Sequence, residues 1–216
     1  AHMEKQQRID VVAGYVETHA RPKTAAVLNG LEVLPTRKVF YNGMILDEFD
    51  IGMALKRKPQ LILVDELAHT NAEGCRHAKR YQDIKELLNA GIDVYTTVNV
   101  QHIESLCDTV ASITEIVVRE RIPDSIFDNA DQVELIDIEP QDLINRLNTE
   151  NVYRQTQAKQ TVENFFTIEN LTALREISLR RCADRVNILT ENTRIKNHGD
   201  YHTGEHILVC LSSSPS

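Results

Sequence analysis

Leu61-Ile62-Leu63-Val64-Asp65-Glu66 decides the fold: an apolar run leads straight into two adjacent carboxylates, and Leu67-Ala68-His69-Thr70-Asn71 follows. A continuous apolar run of this length predicts a strand buried on both faces, as in a parallel sheet under helices. The acidic pair then stands at the carboxyl edge of the sheet, where open α/β folds bind ligands.

That position matches a Walker B site in phosphate-loop nucleotide-binding proteins. There an Asp helps hold Mg²⁺ and a following Glu can polarise a water. Asp65 and Glu66 are therefore candidate nucleotide and metal residues. The other half of such a site is a glycine-rich loop with Lys and Ser/Thr, and this chain has none. Thr96-Thr97-Val98-Asn99-Val100-Gln101-His102 ends the next predicted strand. Thr97 and Asn99 are positioned there to face a phosphate or an attacking water; capping of the following helix by Asn99 serves equally well.

The 216 residues, 42% hydrophobic, suffice for one buried core plus an appendage. The net charge is −8, with 24 basic against 32 acidic residues. That balance argues against a nucleic-acid interface, which needs a basic face. Cys75, Cys107, Cys182 and Cys210 are scattered without a C-x-x-C pair, so no disulfide framework is expected. No apolar run approaches the roughly 18 residues that span a bilayer, and the chain does not open with a secretory signal. Ala1-His2-Met3 reads as a cloning remnant (residues 1–3).

Outward from Leu61, strands are predicted at Ile9–Glu17, Arg37–Tyr41, Ile92–Val98, Ile116–Arg119 and Gln132–Ile138. Helices are predicted at Lys23–Leu31, Asp47–Lys58, Arg76–Asn89, Gln101–Ile113, Asp124–Ala130 and Pro140–Asn148. Glu4–Arg8 reads as the tail of a helix. Such alternation gives βαβ units and a parallel sheet. Residues 4–150 thus form an α/β domain and 151–192 a helical extension. Residues 193–204, with Asn197-His198-Gly199-Asp200, read as a linker, and 205–216 as the stub of a second domain with a strand at His206–Leu211.

Other motifs have plainer readings. Arg76-His77-Ala78-Lys79-Arg80 places basic groups at a helix start, against the macrodipole; a solvated face is the favoured explanation, with a phosphate or partner contact as the alternative. His69, Cys75 and His77 fit no standard zinc spacing. Arg175, Arg180, Arg181 and Arg185 fall on an amphipathic helix that covers the sheet or connects to the next domain, in preference to an arginine finger.

Several stretches carry a family likeness. They are Gly14-Tyr15-Val16-Glu17-Thr18-His19, Val64 to Asn71, Gly91 to His102 and Asn164-Phe165-Phe166. Glu104-Ser105-Leu106, Val118-Arg119-Glu120 and Asn170-Leu171-x-Ala173-Leu174-Arg175-Glu176 agree. From about Ile9 to Val186 the chain resembles the N-terminal cytoplasmic region of the KdpD potassium-sensor histidine kinases. His206 to Ser214 resembles the opening of the universal-stress-type domain that follows in that family. Ala20, Cys75, Ala78 and Glu115 depart from the family pattern, which has Gly, Ser, Pro and Gly at those places.

The resemblance implies a P-loop NTPase-like α/β domain in a membrane sensor kinase. That kinase phosphorylates itself on a His, passes the phosphate to a response regulator and controls high-affinity potassium uptake. The implied ligands are ATP and Mg²⁺, with Asp65 as the Walker B acid. The implied partners are the kinase's other domains, and the implied location is the cytoplasmic portion of an inner or plasma membrane protein, with no nucleic acid and no membrane insertion by this segment. The family's phosphate loop and first strand precede Glu4, and its kinase core lies beyond Ser216. The chain is therefore expected to lack kinase activity and tight nucleotide binding. An exposed edge or gap is expected beside the Leu61 strand, favouring a homodimer. Three functional readings stay open: a nucleotide-sensing regulatory module, a protein-interaction module with a relic acidic pair, and a weak ATPase coupled to signalling through Glu66.

Overall fold

Among the described residues four parallel strands form the sheet: β1 (Val11–Tyr15), β2 (Glu32–Val33), β5 (Leu61–Val64) and β6 (Asp93–Thr96), in the order β2-β1-β5-β6. Between β2 and β5 lie an antiparallel hairpin, β3 (Arg37–Tyr41) and β4 (Met44–Glu48), and helix α3 (Ile51–Arg57). α1 (His2–Gln6) precedes β1 and α2 (Pro22–Val27) follows it. Among the described residues the remaining helices are α4 (Arg80–Asn89), α5 (Cys107–Thr114), α6 (Asp124–Asp128), α7 (Pro140–Thr149) and α8 (Ile168–Asn197). The computed structural model describes residues 1–18, 22–41, 43–149 and 165–197, with the backbone alone at 22–24, 149 and 189–197. The 151–164 part of the helical extension, most of the 193–204 linker and the 205–216 stub lie outside the described residues.

The expected α/β class with a parallel sheet is what the chain forms. Leu61, Ile62 and Val64 are buried, and β5 makes ladders on both edges, with β1 and with β6. The expected gap or open edge beside this strand is therefore absent. Its apolar run is best used in the sheet centre, and the edges fall to β2 and β6. Of the predicted Ile92–Val98 strand only Ile92 is fully buried; β6 exposes Asp93, Tyr95 and Thr96, as an edge strand does. The core joins Val12, Phe49, Ala54, Ile62, Ile84, Leu87, Ile92, Ile103 and Ile122. Each fully buried aliphatic contributes about 1.5–3 kcal/mol of transfer free energy.

Gly14 explains a local feature of this core. Pairing with β5 slips there, from Ala13 opposite Leu63 to Tyr15 opposite Val64. A Cβ at Gly14 would stand 2.6 Å from Ile62 Cδ1 and 2.9 Å from Phe49 Cε2. The position needs glycine for close approach, and the bulge re-aims Tyr15. Gly14→Val is expected to cost about 1–3 kcal/mol, the ordinary penalty of overpacking; a denaturant midpoint equal to wild type would contradict this packing.

Several boundaries move. Helix Asp47–Lys58 begins only at Ile51, because Met44–Glu48 pairs with Arg37–Tyr41 across a turn in which Gly43 has φ 81°. Asn42-Gly43 between two β-prone runs is a strong hairpin signal. α4 begins at Arg80, not Arg76, because residues 70–79 fold back in a loop closed by the Thr70–Lys79 bridge. Gln101–Ile113 is two 3₁₀ turns, Val100–His102 and Glu104–Leu106, followed by α5. Ile116–Arg119 and Gln132–Ile138 are not strands. Val117 and Ile136 are exposed, and Asp137 is held by Arg175 of α8 rather than by a ladder.

α8 packs Leu171 and Leu174 inward, with Arg181 and Arg185 also buried. Arg181 meets Asp124 and Asp128 at 3.3 and 2.6 Å and lies over the Phe127 ring at 4.7 Å. Arg175 pairs with Asp137 and Glu139, and Arg180 with Glu176. Arg175 and Arg181 thus tie α8 to α6 and to the segment entering α7, and the helix packs mainly against α5, α7 and the Val100–His102 turn, not over the sheet as expected. At the amino end of the sheet, Arg57 clamps Asp10 in a bidentate pair, both contacts 2.8 Å, and reaches Glu32.

Glu115 ends α5 in the left-handed region, φ 58°. A side chain there costs about 1 kcal/mol relative to glycine. Glu115→Gly is expected to raise stability by about that amount in thermal unfolding, whereas a loss would show the carboxylate to be needed.

Candidate functional site

β1 runs into β2 on one side of the sheet, and the chain then returns to build β5 and β6 on the other. The strand order thus reverses between β1 and β5, the point at which open α/β sheets receive ligands beyond their carboxyl ends. A cleft of about 290 Å³ opens there. Glu17 and Thr18 line it after β1, Asp65 to His69 after β5, Thr97 to Asn99 and His102 after β6, with Glu120 from the segment that follows α5.

All four sequence candidates, Asp65, Glu66, Thr97 and Asn99, face this one cleft. Asp65 Oδ1 accepts from the Thr97 hydroxyl and, at 3.0 Å, from the Glu66 amide. The Leu67 amide donates to the Thr97 carbonyl at 2.9 Å, tying the ends of β5 and β6 together. Asn99 makes no side-chain cap to the turn that follows, which leaves its amide to the cleft. Glu66 sits in the left-handed region, φ 59°. A non-glycine residue there costs about 1–2 kcal/mol and persists only where its surroundings hold it.

Behind the cleft lies a buried polar network that the sequence did not disclose. Arg80, expected on a solvated face, is 0% exposed. Its guanidinium pairs with Glu48 at 3.1 Å, donates to Asn71 Oδ1 and to the Asp65 carbonyl, each at 3.2 Å, and lies over the Tyr15 ring at 4.4 Å. Glu48 also accepts from the Ala72 amide at 2.9 Å and contacts His69 Nε2 at 3.2 Å. Burial by itself raises the Glu48 carboxyl, but the His69 and Ala72 hydrogen bonds and the charges of His69 and Arg80 bring it below its ordinary value. Burial, reinforced by Glu17, pushes the Tyr15 phenol up to about 12, so it stays neutral and donates to Glu17 at 3.2 Å.

Asp83 is the opposite case. Burial pushes its carboxyl up, against the lowering effect of the 2.6 Å bond from Asn71. A raised folded value favours folding below the ordinary 3.8 and loses that contribution as pH rises through the folded value. Asp83→Asn keeps the acceptor for Asn71 and is expected to raise stability at neutral pH, with the gain shrinking towards acid. A gain independent of pH in thermal melts would contradict the assignment.

Among the described residues the cleft lining holds the carboxylates of Glu17, Asp65, Glu66 and Glu120 and no Lys or Arg. Such a lining attracts a cation and repels a bare phosphate. Mg²⁺ keeps most of its waters and binds through one or two carboxylates plus phosphate oxygens; Asp65, with the Thr97 hydroxyl beside it, suits that role. Among the described residues no group of three His, Cys, Asp or Glu side chains forms a self-sufficient metal site; His77 is taken up by Glu86 at 2.7 Å. Cys75, Cys107 and Cys182 are free thiols. Sequence reasoning missed Glu17, Thr18, His69, His102 and Glu120. Glu17-Thr18 was legible by the rule that found Asp65, since it too follows a buried strand.

The family model described as the osmosensitive K+ channel His kinase sensor domain, KdpD, matches residues 1–186. The chain is 55% identical to Sensor protein KdpD of Clostridium acetobutylicum, across 100% of this chain and 24% of that protein. It is 53% identical to Sensor protein KdpD of Escherichia coli K12, across 96% of this chain and 23% of that one. The Mycobacterium tuberculosis H37Rv protein of the same name is 46% identical, across 100% and 25%. The chain thus spans about a quarter of the length of these curated relatives. Among the described residues no helix is long and apolar enough to cross a membrane.

Proposed function

The chain belongs to the KdpD sensor-domain family, and on that premise we propose that it is the input domain of a two-component sensor histidine kinase governing potassium uptake, and that it responds to nucleotide. One observation carries the nucleotide reading: Asp65, Glu66, Thr97 and Asn99 converge on a single acidic cleft at the point where the strand order reverses. Mg²⁺, when bound, supplies the positive charge that lets phosphate enter this lining. Asp65 holds the metal, Thr97 fixes the Asp65 carboxylate, and Asn99 offers a donor to phosphate. A glycine-rich loop outside the present sequence supplies the phosphate cradle, in keeping with the family resemblance. Its placement in the cytoplasm and its hand-on to a response regulator belong to the same proposal.

The test is ATP binding by the longer sensor protein, with Mg²⁺ and with a chelator. Binding that requires Mg²⁺ and weakens on Asp65→Asn is expected. Binding indifferent to both contradicts the reading.

A second reading rests on a different surface. The tip of the β3–β4 hairpin exposes Phe40 at 74%, Ile45 at 67% and Met44 at 62%. Clustered exposed apolar side chains mark interaction surfaces, so this tip suits contact with another domain of the sensor. Signalling that survives neutralisation of both Asp65 and Glu66 but fails with Phe40→Ser would favour it.

A further inference from the structure

We infer that Arg80 is the positioning residue of the cleft, holding the Asp65–Glu66 peptide in the one orientation that presents both carboxylates. The inference rests on the nucleotide reading for its ligand but not for its geometry. The peptide between Asp65 and Glu66 is held at both ends. Its carbonyl accepts from Arg80 Nη1 at 3.2 Å, and its N–H donates to Asp65 Oδ1 at 3.0 Å and lies 3.3 Å from the Thr97 hydroxyl. That orientation sets the positive φ of Glu66. Rotating the peptide plane would relax Glu66 towards ordinary backbone, but it would turn the carbonyl away from Arg80 and the N–H away from Asp65. The left-handed residue therefore persists because the guanidinium keeps the carbonyl.

Arg80 is itself immobilised. Nη2 is fixed by Glu48, Nε by Asn71, and the plane lies against Tyr15 beside the bulge at Gly14. Its own backbone N–H donates to the His69 carbonyl at 3.0 Å, closing the loop from the other side. Arginine is required because its rigid fork serves three acceptors in different directions. A lysine keeps the charge next to Glu48 but cannot also reach Asn71 and the Asp65 carbonyl. The residue touches no ligand; it acts through the turn.

Arg80→Lys tests this with two readouts. In the 216-residue chain, amide hydrogen exchange at Glu66 and Leu67 is expected to quicken about tenfold or more, while Ile62 and Leu63 in β5 keep their protection. In the longer sensor protein the same change is expected to weaken Mg·ATP binding about 10-fold or more, with binding in chelator unchanged. Exchange unchanged at Glu66 and Leu67, or quickened evenly across the sheet, overturns the inference. Quickened exchange together with an Asp65→Asn protein that binds Mg·ATP normally upholds the positioning role and overturns the nucleotide reading. Should Arg80→Lys fail to fold, the paired change Arg80→Met with Glu48→Leu removes the guanidinium without leaving a buried charge unpaired. The same exchange and binding measurements on that variant then uphold or overturn the inference by the same outcomes.

Discussion

Glu48→Ala is expected to cost about 3–5 kcal/mol of unfolding free energy, because it leaves the Arg80 guanidinium buried without its counter-charge. Both partners lie in the interior, Arg80 at 0% and Glu48 at 3% exposure. The lost carboxylate also strips acceptors from the Ala72 amide and from His69. A penalty of that size lowers the melting temperature by about 6–20 °C in a domain of this length. The pH dependence has a definite sign. Glu48 titrates below its ordinary 4.5 in the folded state, so its stabilising contribution is present above that value and is lost as pH falls through the folded one. The gap between wild type and Glu48→Ala should therefore narrow on acidification. Replacing both partners, Glu48→Leu with Arg80→Met, should recover much of the stability, since apolar pairs often match buried ion pairs. It should not recover the turn, because nothing then holds the Asp65 carbonyl. A Glu48→Ala protein within about 1 kcal/mol of wild type would show that the pair is solvated, contrary to the burial seen.

The second large effect concerns the ligand. Asp65→Asn is expected to weaken Mg·ATP binding about 10–100-fold in the longer sensor protein, the equivalent of about 1.5–3 kcal/mol for one charged contact. The fold should hardly notice. An asparagine amide oxygen can still accept from the Thr97 hydroxyl and the Glu66 amide, the two bonds that Asp65 Oδ1 receives. Stability should stay within about 1 kcal/mol of wild type, so the loss of affinity is separable from unfolding. An equal loss with and without Mg²⁺ would mean that Asp65 acts on the nucleotide without the metal, and the role assigned to it would fall.

Why the sheet was legible and the network was not follows from the residues. The run Leu61–Val64 has no polar position to expose, so only a central strand satisfies it, and the carboxylates after it must lie at the carboxyl edge. Gln132–Ile138 has the same β-forming character but carries Asp131, Glu134 and Asp137 around it. Arg175 takes Asp137 from a helix some forty residues away in sequence, at 2.6 Å, and local propensity cannot foresee that competitor. The hairpin was legible in Asn42-Gly43 and was passed over because Asp47–Lys58 also fits a helical pattern; pairing of Met44–Glu48 with β3 prevailed. Arg80 was illegible in principle. In sequence it is one of a run of basic residues. Its burial depends on Glu48 and Tyr15 arriving from separate strands. Within the site, residues at strand ends could be read, whereas Glu120, which reaches the cleft from an irregular segment and accepts from the Thr70 amide at 2.7 Å, had no local signal. Glu66 is intermediate: its identity was read, but its left-handed conformation depends on the Arg80 contact behind it.

The central claim is that the acidic cleft at the carboxyl ends of β1, β5 and β6 receives a metal-bound nucleotide. Mn²⁺ offered with ATP in place of Mg²⁺ reports location directly, because it broadens the NMR signals of nearby amides even when binding is weak. Selective broadening at Glu17 and Thr18, Asp65 to His69, and Thr97 to Asn99, abolished by Asp65→Asn, is the predicted result. Broadening centred elsewhere, or persisting unchanged in Asp65→Asn, would contradict the account.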